Sequence, residues 1–141
     1  MSNTETARQC CDWMVAADRA TKGIGIEVTV KTAGVAEASM VVTGRMLNGH
    51  KVCHGGFIFS LADTAFAYAC NGYDNVSVAA AASIEFLRPV KEHDRLTAVA
   101  SERYRGRRRG VYDVTVSNQD GEQVAEFRGR SHSTGKSMLG G

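Results

Sequence analysis

The stretch Phe57–Cys70, FIFSLADTAFAYAC, decides how the rest of the chain is read. It contains no proline or glycine and makes about four helical turns. Its apolar residues fall on every face, and a helix apolar all round is a buried one. In a chain of 141 residues, a sheet must wrap it on most sides. The flanking sequence offers that sheet. Ile26, Val28 and Val30 alternate with Glu27, Thr29 and Lys31, and Ala36, Ala38, Met40 and Val42 follow Gly34 with the same period, which predicts a hairpin. Beyond the helix, Val76 to Phe86 alternates until Pro89 ends it. Leu96–Tyr104, Tyr112–Val116 and Val124–Ser131 follow, the last two joined by an Asp-Gly turn signal in NQDGE. The expectation is an α+β fold, with an antiparallel, curved sheet of about six strands around one long central helix. Residues 1–141 form one domain, in which 1–22 carry an N-terminal helix stopped by Gly23 and 134–141 form a small, polar, fraying tail.

Composition narrows the function classes. A 15.1 kDa chain cannot hold a dinucleotide-binding domain beside a catalytic one. Seventeen basic and 15 acidic residues leave a formal charge of +2, too balanced to imply nucleic-acid binding. The most apolar stretch, Gly55–Cys70, is interrupted by Ser60, Asp63 and Thr64 and is too short to cross a bilayer. The start, MSNTETARQ, has no apolar signal core, so the expected compartment is the cytoplasm. The four cysteines, Cys10, Cys11, Cys53 and Cys70, make no CxxC or zinc spacing and read as reduced thiols, with no metal site expected. Cys53 beside His54 suggests a thiol nucleophile, but sequence neighbours rarely face each other, and a small filler before a turn fits better.

Asp63 is the residue that chemistry must explain. It sits mid-helix among Phe59, Phe66 and Ala67, where a carboxylate costs several kcal/mol unless paired. It is either a structural carboxylate meeting a backbone group or an arginine, or a base or nucleophile made reactive by desolvation. The second element is His54-Gly55-Gly56 at the start of the same helix. Glycines admit close backbone approach, and the first N–H groups of a helix favour an anion or a developing oxyanion. A plain glycine-rich helix start and a structural histidine are the alternatives. Eight residues separate Gly55 from Asp63, about 12 Å along the helix axis. One helix therefore cannot present both to one carbonyl. If both act, Gly55 comes from one subunit and Asp63 from another, across a two-fold dimer. Asn48, in the loop before His54, adds an amide for the nucleophile or its water.

The basic turn Arg103, Arg105, Arg107, Arg108 and Arg109 is either a solvated hairpin tip or a phosphate site, since guanidinium forks suit phosphate oxygens. Arg88 and Arg128 are further candidates. Nucleic acid fits less well. Phe57, Phe59, Phe66 and Tyr68 offer aromatic surface for a ligand, or simply core.

The run LNGHKVCHGGFIFSLADTAFAYACN (47–71) followed by SIEFLRPV (83–90) resembles the hotdog-fold acyl-CoA thioesterases, and among them the phenylacetic-acid-degradation (PaaI) type. The resemblance covers about residues 20–133. It implies Asp63 as nucleophile or general base, the Gly55 N–H polarising the thioester carbonyl, Asn48 as the loop amide and His54 as the histidine before the glycine. Some relatives carry Ser or Thr one turn beyond the carboxylate; Ala67 stands there in this chain. It also implies sites shared between subunits and a homotetramer built as a dimer of dimers. The expected reaction is hydrolysis of an aromatic acyl-CoA, phenylacetyl or hydroxyphenylacetyl, in phenylacetate degradation. Coenzyme A enters only as part of the substrate, near Gly56 and the arginines Arg88, Arg107, Arg108 and Arg128. No other cofactor, no nucleic acid and no membrane are expected. A hotdog hydratase or dehydratase and a non-catalytic acyl-CoA binder are the alternatives.

Overall fold

The computed structural model describes residues 2–140; Met1 and Gly141 lie outside the described residues. In chain order the elements are α1 (Asn3–Ala17), α2 (Arg19–Ile24), β1 (Glu27–Thr32), β2 (Val35–Val41), a 3₁₀ turn (Gly44–Met46), α3 (Gly55–Cys70), β3 (Ser77–Phe86), β4 (Arg95–Arg105), β5 (Arg109–Ser117) and β6 (Gln123–Ser133). The six strands form one sheet in the order β1-β2-β4-β5-β6-β3, every neighbouring pair antiparallel. Period-2 patterning put the strands where they are found. It could not show that β3 pairs with β6, so that the chain crosses from the sheet's edge to enter again between β2 and β5.

Small side chains seat α3 on the sheet. Ala36 and Ala38 of β2 and Ala98 and Ala100 of β4 are fully buried, as are Leu61, Ala62, Ala65 and Ala69 of the helix. The Phe66 ring lies 5.7 Å from that of Tyr112 and 5.8 Å from that of Phe127. Gly129 of β6 makes this possible, because a Cβ there would sit 2.7 Å from the Phe66 ring. A glycine inside a strand often marks such a close approach.

The sheet does not cover most of α3, as the all-apolar reading required. One side, with Gly56, Ser60, Asp63, Thr64 and Ala67, stays partly or wholly exposed. The reason is that β3, at the sheet's edge, is open along nearly its whole length. The opposite edge, β1, is packed by α1. Among the described residues no helix is long and apolar enough to cross a membrane.

Both chain ends depart from expectation. The N-terminal helix is two helices, broken at Asp18, which closes α1 and caps α2. The Asp18 carboxylate accepts from the Thr21 N–H (3.0 Å), the Thr21 hydroxyl (2.6 Å) and the Tyr68 hydroxyl of α3 (2.9 Å). The tail expected to fray over 134–141 is held through residue 140. Asp74 accepts from the Ser137 hydroxyl and the N–H groups of Met138 (2.8 Å) and Leu139 (2.7 Å), and Met138 is buried. The Leu139 N–H leads the contacts that lower the Asp74 carboxyl below its ordinary value.

Gly129→Ala should cost about 1–3 kcal/mol, because the added methyl displaces a ring at the centre of the core. A urea unfolding curve should show a lower midpoint with an unchanged slope.

Candidate active site

The loop before α3 is built around Asn48. Its side-chain oxygen accepts from the His50 N–H (2.9 Å) and the Val52 N–H (3.3 Å), its own N–H donates to the Val52 oxygen (2.8 Å), and Leu47 bridges Cys53. Lys51 takes the left-handed conformation that so tight a loop needs, with φ of 63°. The Asn48 oxygen is therefore spent on the loop, and its amide NH₂ remains as the donor.

His54 caps α3. Its N–H donates to the Met46 oxygen (2.7 Å), its oxygen accepts from Phe57 (3.0 Å), and its ring Nδ1 accepts from the Gly56 N–H (3.1 Å). Accepting at Nδ1 leaves the proton of the neutral ring on Nε2. Gly56, expected to face substrate, thus already has a partner for its N–H. The Gly55 N–H finds no acceptor among the described residues. It is an unpartnered donor at the positive end of a 16-residue helix, suited to a developing negative oxygen.

Asp63 lies two turns further along α3. It is half-buried, and no described residue gives it a hydrogen bond or an ion pair. Burial alone pushes its carboxyl above the ordinary value. An unpaired, desolvated carboxylate is a poor structural element and a good base or nucleophile. The structural alternative raised by the sequence, a backbone or arginine partner, is not realised among the described residues.

The remaining candidates divide. Arg128 donates to Asp113 from Nε (2.6 Å) and Nη2 (3.0 Å), and Arg103 joins the same carboxylate at 2.9 Å. Arg88 pairs with Glu122 at 3.0 Å. Arg105 stacks on Tyr73, 3.7 Å from the ring centroid, an aromatic partner 32 residues away in the chain. Arg107 and Arg108 form no ion pair among the described residues and line a notch with Asn75 and Thr134. Of the helix aromatics, Phe66 and Tyr68 are core, and Phe59 packs edge-on to Phe127 at 5.4 Å. The aromatic ring that does reach the site is Phe86. A Cβ on Gly55 would stand 3.0 Å from it, and only the apolar character of the SIEFLRPV run hinted at that. No three His, Cys, Asp or Glu side chains group as a metal site among the described residues.

Residues 50–125 match the family model described as Thioesterase superfamily. The acyl-coenzyme A thioesterase PaaI of Escherichia coli is 50% identical over 123 residues, covering 87% of this chain and 88% of that protein. The structure of the E. coli PaaI protein from the phenylacetic acid degradation operon aligns with a TM-score of 0.94 at 47% identity, covering 96% of this chain and 99% of that one. Protein smu.793 of Streptococcus mutans, bound to acetyl-CoA, aligns with a TM-score of 0.76 at 28% identity, covering 80% and 91%.

Two expectations follow from this geometry. Asp63→Asn should lower turnover about 10²–10⁴-fold. A carboxyl raised in the folded state destabilises the fold once it is ionised: the penalty is absent below the unfolded pKa and complete above the folded one. At pH 7 Asp63→Asn should therefore be at least as stable as the parent in thermal melts, and parental activity should decline as pH falls through the raised Asp63 pKa. Separately, His54→Ala should cost about 1 kcal/mol in urea titrations, and His54→Asn, itself a good cap, should restore most of it.

Proposed function

The chain belongs to the thioesterase superfamily, and on that premise we propose that it hydrolyses acyl-coenzyme A thioesters to the free acid and coenzyme A. The observation that carries the reading is an unpaired, desolvated carboxylate, Asp63, on the helix that begins with the unpartnered Gly55 N–H. The Gly55 N–H and the positive end of α3 hold the thioester oxygen as it gains charge. In one route the Asp63 carboxylate attacks the carbonyl carbon, the C–S bond breaks, and the thiolate leaves and takes a proton from solvent. Water then cleaves the mixed anhydride and restores Asp63. In the other, Asp63 takes a proton from water as the oxygen adds, and returns it to the leaving thiolate. The Asn48 amide donates to the attacking oxygen or to the carboxylate. Neither route calls on a metal or redox cofactor.

Each site is shared by two chains. Gly55 and Asp63 lie about 12 Å apart along α3, so the pair must come from two antiparallel copies of the helix. The open side of α3 and the open edge of β3 are continuous surfaces that a second copy would cover, with β3 pairing β3 across a two-fold axis. The family resemblance extends this to a tetramer. In such a dimer the ends of β3 exchange places. The Arg107–Arg108 notch beside the start of β3 then faces the partner's Gly55 end, where those two free guanidinium groups take the coenzyme A phosphates. Arg88 and Arg128, neutralised by Glu122 and Asp113, suit this less. The relative from the phenylacetic acid degradation operon supports an aromatic acyl group. The four free thiols fit the reducing cytoplasm.

The shared site has a direct test. Gly55→Pro deletes the key N–H, and its backbone is compatible, since proline is favoured at the first helical position and His54, at ψ of 132°, already has the conformation that a following proline requires; its Cβ would stand 3.0 Å from the ring of Phe86, the outer end of a half-exposed side chain, which must give way. Gly55→Pro and Asp63→Ala chains should each lose nearly all thioesterase activity. Randomly co-assembled, they should recover about a quarter of the parental rate, because half the dimers are mixed and each mixed dimer holds one intact site. No recovery in verified mixed dimers would show that each chain builds its own site. Single turnover in ¹⁸O-water separates the routes: label in the Asp63 carboxylate marks the anhydride.

A further inference from the structure

We infer that a small hollow in the sheet beneath the β4–β5 hairpin is a binding site for one monatomic anion of the chloride class, held by Arg105 and Ser131. The hollow lies beyond the C-terminal end of α3 and takes no part in the thioester chemistry proposed above.

Strand register creates it. Arg105 of β4 stands opposite Gly110 of β5, and Gly110 stands opposite Ser131 of β6. Residues directly opposite point to the same face of a sheet, so the three form one row across three strands. The middle member has no side chain. With strands about 4.8 Å apart, the row leaves a gap between the arginine and the serine. A Cβ on Gly110 would stand 2.7 Å from the Ser131 Oγ and 2.8 Å from the Tyr112 ring, so only glycine keeps the gap open. Cys70, the last residue of α3, and Tyr73, just beyond it, complete the lining. What remains is a cavity of about 10 Å³, which holds one water-sized particle and is too small for a phosphate. It shares Asn75 and Ser133 with the Arg107–Arg108 notch but is a separate space.

The protons on the lining select the occupant. The Tyr73 and Tyr112 hydroxyls both donate to Glu102, at 2.8 Å each. The Ser77 hydroxyl donates to the Asn75 oxygen (3.2 Å), which makes Ser133 the donor in the Ser77–Ser133 pair. The Cys70 thiol donates to the Ala67 oxygen (3.5 Å). Ser131 differs from all of these. It is only 4% exposed, it lines the cavity, and its hydroxyl has no partner among the described residues. Buried hydroxyls left unpaired are costly, so the cavity must supply a partner.

Charge then decides between water and an anion. Arg105 forms no ion pair among the described residues, and its guanidinium rests over the Tyr73 ring. The lining includes Arg105 and Arg109 and no Asp or Glu. Glu102, the carboxylate behind the tyrosines, does not reach the cavity, and its Oε1 already accepts both their hydroxyls. A water would meet the Ser131 hydroxyl and leave the guanidinium without a counter-charge. An anion accepts from both, and a hydrogen bond between ions is the stronger kind. So held, it ties β4 to β6 across the gap at Gly110.

The test uses the full chain with chloride and bromide salts. The melting temperature should rise saturably, by a few degrees, in sodium chloride over sodium gluconate of equal ionic strength. Crystals soaked in sodium bromide should show an anomalous peak between Arg105 and Ser131. Ser131→Ala and Arg105→Gln should each remove most of the chloride increment and the bromide peak. Should Ser131→Ala fail to fold, Arg105→Gln, on an exposed residue, decides the matter together with the bromide map. Equal melts in the two salts would overturn the site. A chloride increment undiminished in either folded variant overturns it as well, since the anion then binds elsewhere. So does a cavity that holds only water in the bromide crystals. Each of these outcomes leaves the thioesterase reading standing, because the hollow lies outside the Gly55 and Asp63 machinery.

Discussion

The packing of α3 against small residues of the sheet is the contact on which everything else rests. Alanines at 36, 38, 98 and 100 let the helix backbone sit low, and the absence of a side chain at Gly129 admits the Phe66 ring. Burial of this kind yields about 25 cal/mol per Å² of apolar surface, and the close fit adds dispersion contacts. The same contact uses only one side of the helix. The other side, with Asp63 on it, is left without a sheet because β3 ends the ladder there. A strongly held helix can carry a desolvated, unpaired carboxylate that a marginal one could not, and destabilising groups of this sort gather at functional sites.

Local chemistry at the helix start then sorts the donors. A histidine cap takes the Gly56 N–H, the His54 carbonyl takes the Phe57 N–H, and the Gly55 N–H is left without an acceptor among the described residues. The Asn48 loop holds this arrangement in register by spending its own side-chain oxygen. Donor and carboxylate are rigidly placed on one helix, and the distance between them is fixed by helix geometry. That distance is the physical reason the proposed chemistry draws on a second copy.

Several features lay beyond sequence reasoning because their causes are distant in the chain. Asp18, which caps α2 locally through Thr21, also takes a hydroxyl from Tyr68, 50 residues away. The tail, polar enough to read as loose, is ordered by Asp74, more than 60 residues before it. Arg128 and Arg88 are phosphate candidates in the sequence, which does not show that Arg128 pairs with its cross-strand neighbour Asp113 and Arg88 with Glu122. The aromatic wall at Gly55 comes from Phe86, not from the aromatics of α3 that periodicity brought forward.

The sequence by itself determined the helix, the six strands, the identity of Asp63 as the anomalous residue and the His-Gly-Gly start. These follow from periodicity, cap chemistry and the cost of an isolated carboxylate, all of which act within a few residues. Only the tertiary structure decided which donors and charges remain free, how much of α3 the sheet covers and which ring stands over Gly55. Those outcomes depend on strand order and register, through which groups far apart in the chain satisfy or fail to satisfy one another.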